Sequence, residues 1–488
     1  MHNTIITKRI LFLAFTFLVF VPSFAQDDLP KDYLPASFHE GRREALRNIM
    51  PDKSVVAIFA YPTRTFSNDV EYVYHQNPDL YYFTGYKEPQ AVLFIFKEPQ
   101  IAADGSSLKE LFFVQKRNVQ AEQWTGKRLG TEGVTEKLGI KAVYNGEDFK
   151  DYSIDFSKFD KILFDRFPID VPDNKRDKAD LFDIIQQFKE KAGIPADYSN
   201  DKRFDNRIYY DLTASLREIK TPEELDLLRK AVEISCQGQN EVMKLIKPGM
   251  SESELQGLHE FVHKKYGAEY IGYPSIVGSG HNGCVLHYVE NNKTNIGTSM
   301  VLMDVGAEYH GYTADVTRTI PADGKFSQEE KTIYQIVYDA QEAAFKTLKH
   351  GSKWSDAGNA AKETIANGLI KLGITKDKKD VSKYYPHGLG HHIGLDVHDR
   401  GTYTELKKDM VITIEPGIYI PPGSDCDKKW WSLAVRIEDD ALITENGYEL
   451  LSHFAPRKIE EIEKMISEKS ALDDFKLPPL KSAEKKAF

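Results

Sequence analysis

Two aspartates interrupt two adjacent apolar stretches that have the composition of β-strands. Asp304 lies in the first stretch, Asp315 in the second, and His310 with Gly311 forms a short turn between them. This hairpin register places Asp304 opposite Thr317 and brings Asp315 within diagonal reach on the same face. Two like charges so close among apolar neighbours stay ionised only with a cation between them. The pattern therefore predicts a metal site; the alternative is that one aspartate caps a turn.

Two later apolar runs also end in an acid. Glu415 closes the run that begins at Met410, and Glu438 follows Arg436 by two residues on the same strand face. An edge strand with an ordinary salt bridge would explain either acid alone. It does not explain four such acids in one chain together with a cluster of histidines.

That cluster places four of the fourteen histidines in one glycine-rich segment, and they are His387, His391, His392 and His398. Because core histidines usually occur singly, a structural explanation for the whole segment is disfavoured. For His392 alone, a structural role is the better interpretation. His287 lies in a separate apolar segment that suits a substrate pocket, although taken alone it is equally compatible with a structural role.

A rival metal motif of the H-E-x-x-H type is present at His259, Glu260 and His263. This motif would indicate a zincin-type protease. Helical periodicity, however, predicts that both histidines lie on the flank of a surface helix and that Glu260 faces solvent, which argues against a zinc site. The predicted buried stripe of this helix consists of Leu255, Leu258, Val262 and Tyr266.

The length of 488 residues predicts two domains that position these groups. Residues 36–200 alternate short apolar runs with polar helical stretches, which predicts an α/β domain. A polar segment around 201–211 leads to an α+β domain at 212–460, which opens with the helix start Thr221-Pro222-Glu223-Glu224. The tail 468–488 is rich in lysine, proline and serine and is predicted to be disordered. The predicted strands of the first domain are Val55–Ala60, Ala91–Phe96, Leu111–Val114 and Lys161–Phe164.

Bulk composition argues against several classes of protein. Hydrophobic residues make up 41% of the chain, which is typical of a folded globular protein. The net charge of -10 and the lack of a basic tract argue against nucleic acid as a partner. The three cysteines form no C-x-x-C pair, so free thiols are expected.

The N-terminal 25 residues have the pattern of a signal peptide. Lys8 and Arg9 precede a short apolar run, and small residues lead to a predicted cleavage site after Ala25. The run is shorter than the ~20 residues that span a bilayer. We therefore expect an exported protein, periplasmic or secreted, with no stable membrane insertion after cleavage.

The second domain resembles the pita-bread metallopeptidases, the fold of methionine aminopeptidase, prolidase and aminopeptidase P. The first domain resembles the N-terminal domain of aminopeptidase P in segments such as Gln76-Asn-Pro-Asp-Leu-Tyr-Tyr-Phe-Thr-Gly85, and prolidases match it less well. One departure lies in the loop between Pro421 and Trp431. The motifs that carry the resemblance in the second domain are Met303-Asp304-Val-Gly-Ala, Asp315-Val-Thr-Arg-Thr, His387-Gly-Leu-Gly-His391, Ile414-Glu415-Pro-Gly and Arg436-Ile-Glu438-Asp.

The resemblance implies two divalent metal ions that share a hydroxide, which attacks the bond before a proline in the second position of a peptide. Mn²⁺ is favoured by the oxygen-rich ligands, with Zn²⁺ or Co²⁺ as alternatives. Glu415 is then also the implied proton shuttle. The implied metal ligands are Asp304, Asp315, His391, Glu415 and Glu438, with Asp315 and Glu438 bridging.

The resemblance also implies residues on the substrate side of the site. His398 would stabilise the oxyanion, while His387 and His287 would hold the substrate. Arg436 and Tyr419 would orient the carboxylates. In a homo-oligomer, a dimer or tetramer, Trp124 and Asp69 of the first domain would border a neighbouring site, where Trp124 would contact the substrate.

Two other functions are weighed against an Xaa-Pro aminopeptidase. Prolidase, which cleaves only dipeptides, is the main alternative. A non-catalytic exported binding protein on the same scaffold would lack metal ligands, and none of the five is missing.

Overall fold

The N-terminal half of the chain is built on one five-stranded sheet. In this computed structural model, which describes residues 30–102, 105–474 and 477, the strand order is β6-β5-β4-β1-β7. The strands are β1 (Ser54–Phe59), β2 (Thr65–Ser67), β3 (Val70–Glu71), β4 (Val92–Ile101), β5 (Ser107–Val114), β6 (Val143–Asn145) and β7 (Lys161–Leu163). The helices are α1 (Ala36–Ile49), α2 (Pro78–Thr84), α3 (Glu122–Thr125), α4 (Gly130–Leu138) and α5 (Leu181–Ala192).

All four strands predicted for this half are present, as β1, β4, β5 and β7, with shifted ends. The strands β4 and β5 form an antiparallel hairpin that is longer than its apolar core, because partly exposed residues extend it beyond Phe96. The predicted signal peptide at 1–25 lies outside the described residues. Among the described residues, no helix combines the length and apolar character needed to cross a bilayer.

The C-terminal half contains small antiparallel sheets surrounded by helices. Its helices are α6 (Asn206–Arg217), α7 (Pro222–Leu245), α8 (Glu252–Lys265), α9 (Gln328–Phe345), α10 (Trp354–Lys371) and α11 (Ile459–Ile466). Its strands are β8 (Tyr270–Ile271), β9 (Ile276–Ser279), β10 (Met300–Val305), β11 (Ala307–Tyr309), β12 (Tyr312–Thr313), β13 (Val316–Pro321), β14 (Val411–Ile414), β15 (Gly417–Ile420), β16 (Leu433–Arg436), β17 (Asp439–Ile443) and β18 (Tyr448–Leu450).

Local sequence signals explain where several of these helices begin. The predicted capping box at Thr221 and Glu224 is present and starts α7, and the same arrangement starts α8 and α9. The polar segment around 201–211 is not all connection, since α6 already begins at Asn206. The side chain of Asp205 accepts the amide hydrogens of Arg207 and Ile208 and so caps this helix.

The hairpin that carries the two aspartates has the predicted register. Asp304 on β10 pairs with Thr317 on β13, and the chain turns at His310 and Gly311. Both turn residues have positive φ, of 50° and 89°, as a tight hairpin turn requires. Asp315 immediately precedes β13.

The prediction for α8 was correct for Leu255 and Val262, which are buried, but wrong for the two histidines and for Tyr266. His259 and His263 are 0% and 1% exposed, whereas Tyr266 is 48% exposed. The cause lies on α7, where Gly238 leaves room for the two rings: a Cβ there would lie 3.0 Å from His263 Nε2 and 3.2 Å from His259 Nδ1. A catalytic zinc site needs a position open to water, so these buried side chains do not support the zincin alternative.

The two halves share one hydrophobic cluster. It contains Leu80 and Tyr81 of α2, Leu228 of α7, and both Ile393 and Leu395 from the histidine segment. The backbone around the histidines therefore packs directly on the N-terminal half.

The predicted tail, 468–488, is described only over 468–474 and at Leu477. In the described stretch Ser470 is buried, and its hydroxyl donates a hydrogen bond to Glu241 on α7 (2.7 Å). The cysteines Cys236, Cys284 and Cys426 are all free.

Candidate active site

A cleft of about 520 Å³ gathers most of the side chains that the sequence singles out. Trp124 is not among them; it lies on α3 and is 90% exposed. Tyr419 is absent from the lining but contacts residues that form it. The predicted residues that line the cleft are Asp304, Asp315, His391, Glu415, Glu438, His287, His387, His398 and Arg436.

The four acids project from points where strands end or are joined. Asp304 is the penultimate residue of β10, and Asp315 links β12 to β13. Glu415 links β14 to β15, and Glu438 links β16 to β17. His391 precedes β14, where its backbone amide donates to Thr413 Oγ1 (3.0 Å). Three short breaks between strands thus place Asp315, Glu415 and Glu438, while Asp304 lies within β10 and His391 in the segment bonded to β14.

Three of these groups are close enough to hold one cation. Ligand atoms of Asp315, His391 and Glu438 all lie within 4.8 Å of one another. His391 Nε2 is 3.5 Å from Asp315 Oδ2 and 3.6 Å from Glu415 Oε1. Carboxylate oxygens with one imidazole nitrogen form a donor set suited to Mn²⁺, Zn²⁺ or a similar divalent ion.

The electrostatics of the cleft also fit a metal centre. Burial, and then the neighbouring carboxylates, raise the pKa of Asp315 and the pKa of Glu438 well above their usual range. Burial raises the pKa of Glu415 to about 7, although His391 and Arg436 act in the opposite direction. The cationic side chains around these three acids thus do not offset their negative charge. Bound divalent ions would neutralise that charge.

Of the four acids, only Asp304 is bonded to an arginine or lysine side chain within the described part of the chain. Burial would raise its pKa, but Arg436 lowers it below the usual range. Arg436 donates to Asp304 Oδ2 from Nη2 (2.6 Å) and to the hydroxyl of Tyr419 from Nη1 (2.9 Å). The same hydroxyl lies 2.8 Å from His387 Nε2. Arg436 and Tyr419 therefore connect Asp304 to His387. This position fits the orienting role that the family resemblance implies for both residues.

The remaining histidines take different positions. His287 and His398 are exposed at the cleft, and the His398 ring centroid lies 4.4 Å from that of His391. Burial lowers the pKa of His387 to about 4, so this ring is neutral at pH 7. His392 is buried, and its Nε2 lies 2.8 Å from the carbonyl oxygen of Thr402, in agreement with the structural role predicted for it.

Tyr273 is a residue of the site that sequence reasoning missed. Its hydroxyl lies 2.5 Å from Asp304 Oδ1 and 2.5 Å from Asp315 Oδ1. A Tyr-Pro pair before a short strand has no distinguishing pattern, so only the fold reveals this contact. The hydroxyl holds the two aspartates together.

Comparisons with known proteins agree with this geometry. The family profile described as Metallopeptidase family M24 matches residues 226–445, and that described as Aminopeptidase P, N-terminal domain, matches residues 39–162. The chain is 36% identical to the Xaa-Pro aminopeptidase of Escherichia coli K12, over 87% of this chain and 96% of that protein. It is 31% identical to human Xaa-Pro aminopeptidase 3, over 88% of this chain and 84% of that protein.

Solved structures give the same result. Aminopeptidase P from E. coli with the inhibitor Pro-Leu superposes with a TM-score of 0.77 at 33% identity, covering 89% of this chain and 98% of that chain. A zinc-substituted form of the E. coli enzyme in complex with product has the same TM-score and coverage. The chain therefore belongs to the Xaa-Pro aminopeptidases, or aminopeptidases P, of metallopeptidase family M24, with that family's N-terminal domain and its pita-bread metallopeptidase domain.

Proposed function

We propose that this protein is an exported, dinuclear metallo-aminopeptidase that releases the first residue of peptides whose second residue is proline. The observation that supports it most strongly is the convergence of four buried or half-buried acids and one imidazole in a cleft with too few cations. The names of the similar proteins support the choice of an Xaa-Pro bond.

The residues present fit a pair of divalent ions. Asp304, Asp315, His391, Glu415 and Glu438 would hold them. The bound ions would lower the pKa of water and polarise the carbonyl of the scissile bond. The oxygen-rich donor set favours Mn²⁺, and Zn²⁺ or Co²⁺ would also fit.

The chain's own groups supply binding and proton transfer. Glu415 faces the cleft and can accept a proton from water and pass it to the leaving proline nitrogen. His398 donates a hydrogen bond to the oxyanion that forms at the carbonyl. His287 and His387 line the same cleft and hold the peptide, while Arg436 fixes the orientation of Asp304.

Export and assembly are further parts of the proposal. Support for export comes from the charged and apolar pattern of residues 1–25. Support for a homo-oligomer comes from exposed apolar side chains in the N-terminal half, among them Trp124 and Phe66. Size-exclusion chromatography with light scattering would separate a monomer from a dimer or tetramer, and N-terminal sequencing of secreted protein would locate the cleavage site.

The activity is tested with matched peptides. Protein loaded with Mn²⁺ should release the first residue from Xaa-Pro-Yaa, but not from Xaa-Ala-Yaa or from an N-acetylated Xaa-Pro-Yaa. Chelator should remove the activity, and re-addition of Mn²⁺ should restore it. Asp315→Asn should lower kcat/KM by at least about 10⁴-fold, because a metal ligand is lost. Asp170→Asn, at an exposed ion pair, is the matched control.

Three outcomes would change the conclusion. Cleavage of an Xaa-Pro dipeptide only would identify a prolidase. Equal cleavage of the proline and alanine peptides would remove the proposed specificity. Lack of hydrolysis with any of the three metals would overturn the catalytic proposal.

A further inference from the structure

A chain of buried ion pairs joins the N-terminal half to the segment that carries His398. Asp399, the next residue, is buried and accepts hydrogen bonds from Arg217 and from Lys220 (Nζ to Oδ2, 2.9 Å). Arg217, the last residue of α6, also donates to Asp79 on α2 (Nη1 to Oδ1, 2.7 Å). The contacts run without a break from the N-terminal half to the backbone of His398.

A second set of contacts supports the same acid. The hydroxyl of Tyr209 donates to Asp79 Oδ2 (2.7 Å), and Arg400 Nη2 lies 3.3 Å from that oxygen. Arg400 also pairs with Asp165, and its guanidinium carbon lies 5.4 Å from the centre of the Tyr209 ring. Both residues that follow His398 are therefore anchored to the N-terminal half or to α6.

The backbone between His391 and His398 has little freedom beneath the cleft. The amide of Asp399 donates to the carbonyl oxygen of His392 (3.0 Å). At Gly394, a Cβ would lie 2.2 Å from Asp399 Oδ2, so this position requires glycine. The side chain of His398, by contrast, is exposed at the cleft. Its position thus depends on the anchored backbone below it.

The charges in this network are balanced. Burial alone would raise the pKa of Asp79 and of Asp399, but Arg400 with Arg217 lowers the first and Arg217 with Lys220 lowers the second. Each aspartate therefore stays ionised and keeps two cationic partners. Such charge-assisted contacts, with one guanidinium bonded to both aspartates, hold direction as well as distance.

We propose that Asp79, Arg217 and Asp399 form a positioning network through which the N-terminal half holds His398 in place for the substrate oxyanion. This inference rests on the proposed function, in which His398 contacts the reacting carbonyl. None of the three side chains lines the cleft. They act through the backbone that joins Asp399 to His398, so they are positioning residues.

The test is a double-mutant cycle with Asp79→Asn and His398→Ala. In the wild-type background, Asp79→Asn should lower kcat about tenfold on Xaa-Pro-Yaa and change KM less than twofold, because the oxyanion contact forms only in the transition state. In the His398→Ala background, the same substitution should change kcat less than twofold. A tenfold loss in both backgrounds, or no loss in either, would overturn the inference.

A second variant covers the possibility that Asp79→Asn does not fold. Tyr209→Phe removes only the hydroxyl that bonds to Asp79 and should lower kcat about threefold with His398 present and not at all without it. Asp170→Asn, in the exposed pair with Arg64, is the control and should leave kcat unchanged. Additive losses for Tyr209→Phe would overturn the inference in the same way.

Hydrogen exchange measured by mass spectrometry gives a readout that is independent of activity. In metal-free protein, Asp79→Asn and Tyr209→Phe should each speed amide exchange in peptides that cover residues 392–402 at least about threefold, with peptides from α9 unchanged. Unchanged exchange in 392–402 would contradict the inference. If the wild-type protein cleaves no Xaa-Pro peptide, the proposed function fails. If it cleaves them but the effects of Asp79→Asn and His398→Ala on kcat are additive, only the positioning network is refuted.

Discussion

Two buried clusters of acids lie next to His398, one through His391 and the other through Asp399, and they differ in charge balance. In the metal centre, Asp315 and Glu438 have raised pKa values, caused by burial and then by neighbouring carboxylates. In the positioning network, Asp79 and Asp399 have lowered pKa values, because cations outweigh the effect of burial. Burial alone therefore does not distinguish a functional acid from a structural one. What separates the two clusters is whether the protein supplies the opposite charge itself.

The largest expected effect on stability lies in the balanced cluster. Asp399→Asn should lower the free energy of unfolding by about 3–5 kcal/mol, because two buried cations lose part of their partner. Urea unfolding at pH 7 would measure this loss. The difference in free energy of unfolding between the wild type and the variant should be the same in Mn²⁺ and in chelator, because both proteins bind metal equally. A loss below about 1 kcal/mol would show that the network does not stabilise the fold.

The pH dependence of this cluster has a definite sign. The folded pKa of Asp399 lies below its usual value of 3.8, so its contribution is fully present above that pH. Stability is lost as the pH falls further, through the lowered folded pKa. Between pH 5 and pH 3, Asp399→Asn should therefore lose less stability than the wild-type protein.

In the metal centre, the corresponding change should act in the opposite direction. Asp315→Asn should raise the free energy of unfolding of the metal-free protein by up to about 4 kcal/mol, because an amide needs neither a buried charge nor an added proton beside the other carboxylates. Thermal and urea unfolding in chelator would measure the gain. With Mn²⁺ the wild-type protein should regain its advantage through metal binding. A metal-free Asp315→Asn protein less stable than wild type would contradict the contrast between the clusters.

A third buried group has neither cations nor acids bonded to it. His259 and His263 are buried on α8, and three of their four ring nitrogens have no hydrogen-bond partner among the described residues. Burial, then Lys264, lowers the pKa of His263 to about 4. Burial, then His263, lowers the pKa of His259 well below its usual range.

These histidines should make the protein sensitive to mild acid. The unfolded chain binds protons at His263 near pH 6.5, whereas the folded protein does so only near pH 4, so stability falls as the pH drops between these values. The loss from this side chain should be about 3 kcal/mol. His263→Leu should remove that part of the pH dependence in urea unfolding at pH 7 and pH 4.5. His453→Gln, at an exposed histidine, should leave it intact. An unchanged acid limb in His263→Leu would refute the assignment.

The same three clusters show what the sequence can predict. The register of Asp304 and Asp315 follows from the turn at His310 and Gly311, because a hairpin turn fixes which residues face each other. Local caps and apolar runs likewise locate α7 and the strands β1 and β4. The approach of His391, Glu415 and Glu438 to that pair depends on the fold, and the sequence indicated it only through resemblance to a known family.

Contacts between distant segments could not be predicted. Arg217 meets partners 138 and 182 residues away, at Asp79 and Asp399, and no local pattern records either contact. The error at α8 has the same cause. Helical periodicity places the two histidines on the flank of α8, but Gly238 on the neighbouring helix α7 makes space for both rings. Residues on one helix do not reveal the shape of the surface that receives them.

The smallest expected effect on the free energy of unfolding is that of Tyr273. It tests directly how the acids of the metal centre are stabilised in the metal-free protein. A phenol donates one hydrogen, yet its oxygen lies 2.5 Å from carboxylate oxygens of both Asp304 and Asp315. The hydroxyl can therefore donate to only one of the two acids at a time. Tyr273→Phe should lower the free energy of unfolding of chelator-treated protein by about 1–2 kcal/mol, because a buried acid loses its partner.

The loss at Tyr273 should also depend on the acid pair. In the Asp315→Asn background, where one of the two carboxylates is gone, Tyr273→Phe should lower the free energy of unfolding by less than about half as much. Urea unfolding of the wild type, the two single variants and the double variant measures this coupling. Tyr72→Phe, at an exposed tyrosine of the N-terminal half, should cost nothing in either background. Equal losses at Tyr273 in both backgrounds would mean that the hydroxyl serves packing alone. In the metal-free centre, protonation of the carboxylates would then be the means of reducing their repulsion, and the Tyr273 hydroxyl would not contribute.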